Sequence, residues 1–231
     1  MSRRIVVVTA GLSVPSTTRL LADQLAAAVT TAVAGRGETA EVDVVEVREL
    51  AADLATAMTT AGLATPALAR ARDLVAAADG LVAVTPVFSA SYSGLFKMFF
   101  DALDADVLAG TPVLVAATAG TPRHSLVLDH ALRPLFSYLR AVVVPTGVFA
   151  ATEDFGDGDA AGLGERITRA ASQLAALVVA EPAAVRGFGP DADEAATSPA
   201  TTAATAATRP APGARTPAVT PFATLLRGHA G

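Results

Sequence analysis

The chain has 231 residues, enough to bury a sizeable core in a single domain. Its 17 basic and 22 acidic residues leave a net charge of −5, which gives no electrostatic footprint for nucleic acid or an anionic bilayer and favours small-molecule partners. With no cysteine, disulfides, thiol nucleophiles, iron–sulfur ligation and cysteine zinc sites are excluded, and the cytoplasm is the expected compartment.

The opening MSRRIVVVTAGLS has the basic start of a secretory leader, but its apolar run is too short and passes into a loop and helix pattern. Residues 5–8 read instead as a buried strand. No stretch reaches the roughly 18 uninterrupted apolar residues of a membrane span, so no membrane partner is expected. Further β-branched runs follow at 42–47, 80–85, 112–118 and 141–147, separated by helical patterns near 17–34, 66–78, 93–104, 125–139 and 160–180. Most of the runs are continuously apolar, as in strands covered on both faces. The alternation predicts an α/β fold: a doubly wound, five-stranded parallel sheet with helices on both faces, in the flavodoxin-like order 2-1-3-4-5. Its ligand crevice then lies at the carboxyl ends of the strands beside the first. This domain is expected over 1–187. Residues 188–231, rich in Thr, Ala and Pro, read as a disordered tail, because they carry too little apolar surface to offset their ordering entropy.

The first strand leads into TAGLSVPSTTRLL, which places Ser13, Ser16, Thr17, Thr18 and Arg19 around a helix start. Unpaired N–H groups, hydroxyls and a guanidinium there suit a phosphate dianion. Neither G-x-x-x-x-G-K-[ST] nor G-x-G-x-x-G is present, which disfavours a nucleoside triphosphate or a Rossmann-bound dinucleotide. A single terminal phosphate, as in FMN, fits better. The plainer reading is an ordinary N-cap at Ser16 or Thr17 with a solvated Arg19.

After the third strand comes TPVFSASYSGLFKMFFDAL, residues 85–103. Pro86 biases Thr85 toward an extended conformation, so the chain leaves the sheet on a defined path. A loop through Pro86, Val87, Phe88 and Ser89 can present backbone groups to the polar edge of an isoalloxazine ring and apolar groups to its faces. The helix that follows is apolar nearly all round, which predicts burial on both sides and a homo-oligomer, dimer or tetramer, through 93–104.

Residues 85–103 resemble the T-P-V-Y-x-x-S-x-S-G-x-L-K segment of flavodoxin-like NAD(P)H-dependent FMN reductases, the flavin-supplying halves of two-component monooxygenases, including the alkanesulfonate type. ATAGTPRHSLVLDHALRPLFSYLRA (117–141) is similar to that family's A-T-G-G-T-x-x-H-x-L segment, and GVFA (147–150) to the close of its fifth strand. The likeness spans residues 4–185. It implies that NADPH or NADH donates a hydride to FMN, with the nicotinamide stacked on the flavin, and that reduced FMN passes to a flavin-dependent monooxygenase. It also implies ring contacts from Thr118, Ala119, Gly120 and Thr121, and His124 lining the crevice. The cofactor carries the chemistry, so binding residues are expected and no catalytic side chain. Phe88 departs from the family's Tyr, and Ala119 from the first glycine of Gly-Gly, where a positive φ would bring strain.

Other constellations are weaker. His124 and His130, six apart, point away from each other on one helix, so a shared metal is not expected. Ser125, His124 and Asp129 lack triad geometry. The acidic turn from Asp157 lacks the ligands of a calcium loop. The rival functions are a quinone or azo reductase that retains its flavin and a non-enzymatic flavodoxin-like electron carrier.

Overall fold

The computed structural model describes residues 1–155 and 160–179. Strand β1 (Ser2–Thr9) turns Ile5 and Val7 into one core and Val6 and Val8 into the other, and all four are fully buried. Two covered faces explain why the run is apolar without alternating. The other strands are β2 (Thr39–Glu46), β3 (Gly80–Phe88), β4 (Ser91–Tyr92), β5 (Pro112–Ala119), β6 (Val142–Val143) and β7 (Val148–Ala151). The sheet runs β2-β1-β3-β5-β6, with β7 also on β5. Its main pairings are parallel, with Val7 opposite both Val44 and Val82, and Ala83 opposite Val115. This is the flavodoxin-like order expected, with the β4 hairpin strand added.

Helices α1 (Thr17–Ala34) and α6 (Ala160–Val178) cover one face through Leu21, Leu25, Val29, Ile167 and Leu174. The opposite face carries α2 (Ala51–Thr59), α3 (Pro66–Ala76), α4 (Gly94–Asp101) and α5 (Arg133–Tyr138). On α4, Phe96, Phe99 and Phe100 are buried within the chain; Phe96 and Phe100 pack against Phe136 and Phe99 against Phe100, with ring centroids 4.7 Å apart for Phe96–Phe100 and 4.9 Å for Phe100–Phe136. The aromatic payload of this helix is therefore monomer core. Leu95, Met98 and Leu103 remain only partly buried.

Three elements differ from the sequence expectation. Helix α2 was not anticipated: it buries only Leu54 and Ala57, and an alanine-rich segment shows little apolar period. The stretch 125–139 is not one helix; a 3₁₀ turn (Pro122–His124) and a π-helical turn (Leu128–Leu132) precede the short α5. The fifth strand is split, because Val113 faces Val143 while Ala116 faces Val148, which leaves two extra residues on the outer strand around Pro145. Pro145 has no N–H to give the ladder. The Arg133 guanidinium takes up the Val144 and Pro145 carbonyls, and the Thr146 N–H donates to the Gln173 side chain at 2.8 Å. The tail 188–231 and most of the acidic turn after Asp157 lie outside the described residues.

Candidate flavin cleft

At the carboxyl ends of β1, β3 and β5 lies a cavity of about 320 Å³, within the roughly 300–1,000 Å³ usual for small-molecule sites. The loop after β1 contributes Ser13, Ser16, Thr17 and Thr18; the end of β3 contributes Pro86, Val87 and Phe88; the end of β5 contributes Thr118, Ala119 and Gly120. Sequence reasoning missed Leu12 and Thr152, which also line it. Thr152 follows β7, so its place beyond the carboxyl end of the fifth strand was the available signal.

The α1 end of the cleft depends on Gly11. A Cβ there would stand 2.1 Å from Ser16 Oγ, so only glycine lets the loop fold this closely over the helix start. Ser16 is the N-cap, its hydroxyl accepting the Arg19 N–H at 3.2 Å. Thr18 is buried, with its hydroxyl 2.7 Å from that of Thr118. Thr17 and Ser13 are exposed at the opening, free to meet an anion at the positive end of the helix.

Arg19, expected at the phosphate end, is not part of the lining. Its Nε donates to Asp23 Oδ1 at 2.8 Å and its Nη1 bonds to Glu46, so the guanidinium lies in a separate surface depression with Arg48. The hydrogen bond to Asp23 raises the Arg19 pKa above its ordinary value; burial offsets this in part, and the charges of Asp23 and Glu46 reinforce it. Arg48 bonds Glu46 at 3.1 Å and donates to the Ser13 carbonyl at 3.3 Å, so this ion network braces the outside of the loop. The cleft itself is lined by neutral residues alone.

The second wall explains the hydroxyls ahead of the apolar helix. The buried Thr85 hydroxyl donates to the Pro86 carbonyl at 2.9 Å and accepts the Ser93 N–H at 3.0 Å, while Ser93 Oγ caps α4 through the Phe96 N–H at 3.1 Å. Both ends of the excursion are thus anchored. Between them Val87 pairs with Tyr92 and Phe88 with Ser91, closed by Ser89 (φ 49°) and Ala90 (φ 64°). Two central residues at positive φ make a type I′ turn. Ser89 therefore sits at the turn tip and does not line the cleft, and Thr121 lies beyond it as well. Ala119 ends β5 without positive φ, so the strain considered for the Ala-Gly pair is absent. His124 lines a neighbouring cavity rather than this one, and His130 shares it. The six-residue spacing separates them only on a regular α-helix, and the π turn breaks that assumption.

The residues present fit FMN: hydroxyls and N–H groups at a helix start for one phosphate, and an apolar wall at Val87 and Phe88 for a flat ring. The sequence model of the NADPH-dependent FMN reductase family matches residues 3–156. An FMN reductase (NADPH) of Pseudomonas aeruginosa is 42% identical over 155 residues, covering 66% of this chain and 78% of that one. NADH-dependent FMN reductase SfnE of Pseudomonas putida is 50% identical over 106 residues, 45% of this chain and 57% of its own length. The crystal structure of an oxidoreductase from Corynebacterium diphtheriae superposes with a TM-score of 0.75 at 59% identity, covering 77% of this chain and 97% of that one. The chain therefore belongs to the NADPH-dependent FMN reductase family and is an oxidoreductase that uses FMN with a reduced nicotinamide nucleotide as donor.

Proposed function

We propose that this chain binds FMN in the rim cleft, reduces it with NADPH or NADH, and releases reduced flavin to a flavin-dependent monooxygenase. The observation that carries the reading is the neutral, hydroxyl-lined cleft between the α1 start and the Pro86–Phe88 wall. Bound FMN supplies the two-electron acceptor. Ser13, Ser16, Thr17 and the first N–H groups of α1 hold its phosphate. Pro86, Val87 and Phe88 form the ring wall, and Ala119 and Gly120 offer backbone groups to the polar ring edge. Phe88, 47% exposed, stands at the mouth, where its ring keeps water from the flavin edge. The exposed Leu12, Ser13 and Thr17 leave the cleft open on one side, which suits a flavin that departs as product.

The monooxygenase partner rests on the resemblance of residues 85–103. A cytoplasmic setting rests on the absence of cysteine; among the described residues no helix is long and apolar enough to cross a membrane. Assembly through the 93–104 helix rests on the partly buried Leu95, Met98 and Leu103.

The test is to mix purified protein with FMN and either NADPH or NADH and follow the nicotinamide absorbance. Oxidation of at least one donor, by protein that purifies without colour, is expected. Failure with both donors would end the enzymatic claim, and a tightly held yellow flavin would end the claim of release.

A further inference from the structure

We infer that Glu46 sets how tightly the chain holds FMN: it withholds the Arg19 guanidinium from the flavin phosphate, which is then met by neutral donors alone. The inference rests on the reading of the cleft as a flavin site with its phosphate at the start of α1.

The loop before α1 is a thin partition. Ser13 and Ser16 line the cleft on one side, and on the other they line the depression that holds Arg19, Glu46 and Arg48. Arg19 is the third residue of α1, two positions and about 3 Å of axial rise beyond Thr17 at the cleft opening. Side chains on a helix lean toward its N-terminus, so an unrestrained Arg19 would lie over the turn that carries Ser16 and Thr17. A guanidinium there would give the phosphate a paired, charge-assisted contact that no described residue of the lining supplies.

Two carboxylates turn Arg19 away, and they are not equal. Asp23, four residues on along α1, takes the Arg19 Nε at 2.8 Å, but its side chain is 51% exposed, and such surface pairs contribute little. Glu46 is 20% exposed and ends β2, where the sheet fixes its backbone. It bonds to Arg19 Nη1 and, at 3.1 Å, to Arg48 Nε, while Arg48 donates to the Ser13 carbonyl at 3.3 Å. One carboxylate on a fixed strand end thus neutralises both cations behind the phosphate loop. Arg48 alone reaches the loop backbone, so the hold on Arg19 is not needed to brace the partition; its effect is a cleft without a cation. For a flavin that departs as product, an ion pair to its phosphate would slow release, since gains in affinity fall mainly on dissociation.

The test compares the wild type with Glu46→Gln, Asp23→Asn and the double variant Arg19→Ala/Glu46→Gln. Dissociation constants for oxidised FMN and for riboflavin are measured by flavin fluorescence titration. Glu46→Gln keeps the length of the side chain and removes its charge. It is expected to tighten FMN about tenfold with riboflavin unchanged, and the added Arg19→Ala to return FMN to the wild-type value. Asp23→Asn is expected to change either affinity by no more than about twofold. A merely structural Glu46 would let the loop loosen and weaken both flavins, and that result overturns the inference. So do an unchanged FMN affinity, a gain shared by riboflavin, a gain that survives in the double variant, and an equal gain in Asp23→Asn. A wild type that binds FMN no better than riboflavin is a different result, which removes the phosphate seat at α1 and the reading of the cleft with it.

Discussion

The hydroxyls of Thr18 and Thr118 lie 2.7 Å apart, joining the first turn of α1 to the end of β5. Both side chains are buried, so each satisfies the other where water does not reach. Two of the three walls of the flavin cleft are tied together by this one contact. Thr18→Val is expected to cost about 1–3 kcal/mol, because it strands the Thr118 hydroxyl. Adding Thr118→Val should cost less than the sum of the single losses, measured by urea denaturation of all four proteins. Simple additivity would mean that the two hydroxyls do not support each other.

Gly11→Ala should reach the site through the helix cap. The new methyl would stand 2.1 Å from Ser16 Oγ and displace the group that caps α1. We expect a stability loss of about 1–2 kcal/mol together with weaker FMN binding, read by thermal denaturation and by flavin fluorescence titration. A variant with wild-type FMN affinity would show that the loop tolerates a wider path.

Arg19 and Thr17 lie two positions apart in sequence with opposite expectations. Thr17→Ala should weaken FMN roughly tenfold while leaving riboflavin, which lacks the phosphate, nearly unchanged. Arg19→Ala should leave the FMN-to-riboflavin ratio as in the wild type, since its guanidinium is held by Asp23 and Glu46 outside the cleft. A phosphate-selective loss in Arg19→Ala would show that the ion network releases this side chain when flavin binds.

Much of this site was legible because local rules built it. The apolar strands, the Ser16 cap and the Thr85-Pro86 exit follow from residue types within a few positions of one another. The position of Arg19 outside the lining left no mark in the sequence, because Glu46, which holds it there, arrives from the end of β2. His124 and His130 were misread because a π turn leaves no clear mark in the apolar period. Leu12 is a lone apolar residue in a polar loop, and only the closure of the loop over α1 makes it a wall. The aromatic helix α4 read as an assembly surface because Phe136, which covers it from within, lies far along the chain.

The hairpin beyond β3 carries a backbone cost that substitution should relieve. Ala90 at φ 64° has a Cβ in a conformation suited to glycine. Ala90→Gly is expected to stabilise the protein by about 0.5–1 kcal/mol, seen as a higher denaturation midpoint. Equal or lower stability would mean that the flexibility added to the unfolded chain outweighs the relief.

Glu38 gives a pH prediction. Its hydrogen bonds to Arg3 are the main cause lowering its pKa beneath the ordinary 4.5. A carboxylate depressed on folding adds stability above its unfolded pKa and loses it as pH falls through the folded value. Glu38→Gln should therefore flatten the acid side of the stability profile below about pH 4.5. Urea midpoints taken down that range provide the check, and parallel profiles would refute the coupling.

The split of the outermost strand bears on how the molecule avoids its own kind. A long straight border of unclaimed amide groups is a template on which a second sheet can grow into a fibre. Here Pro145 interrupts that border, Arg133 occupies two of its carbonyls and Gln173 takes an N–H, so no continuous ladder is on offer. Straightening the segment would give this acidic flavoenzyme a new route to self-templated aggregation.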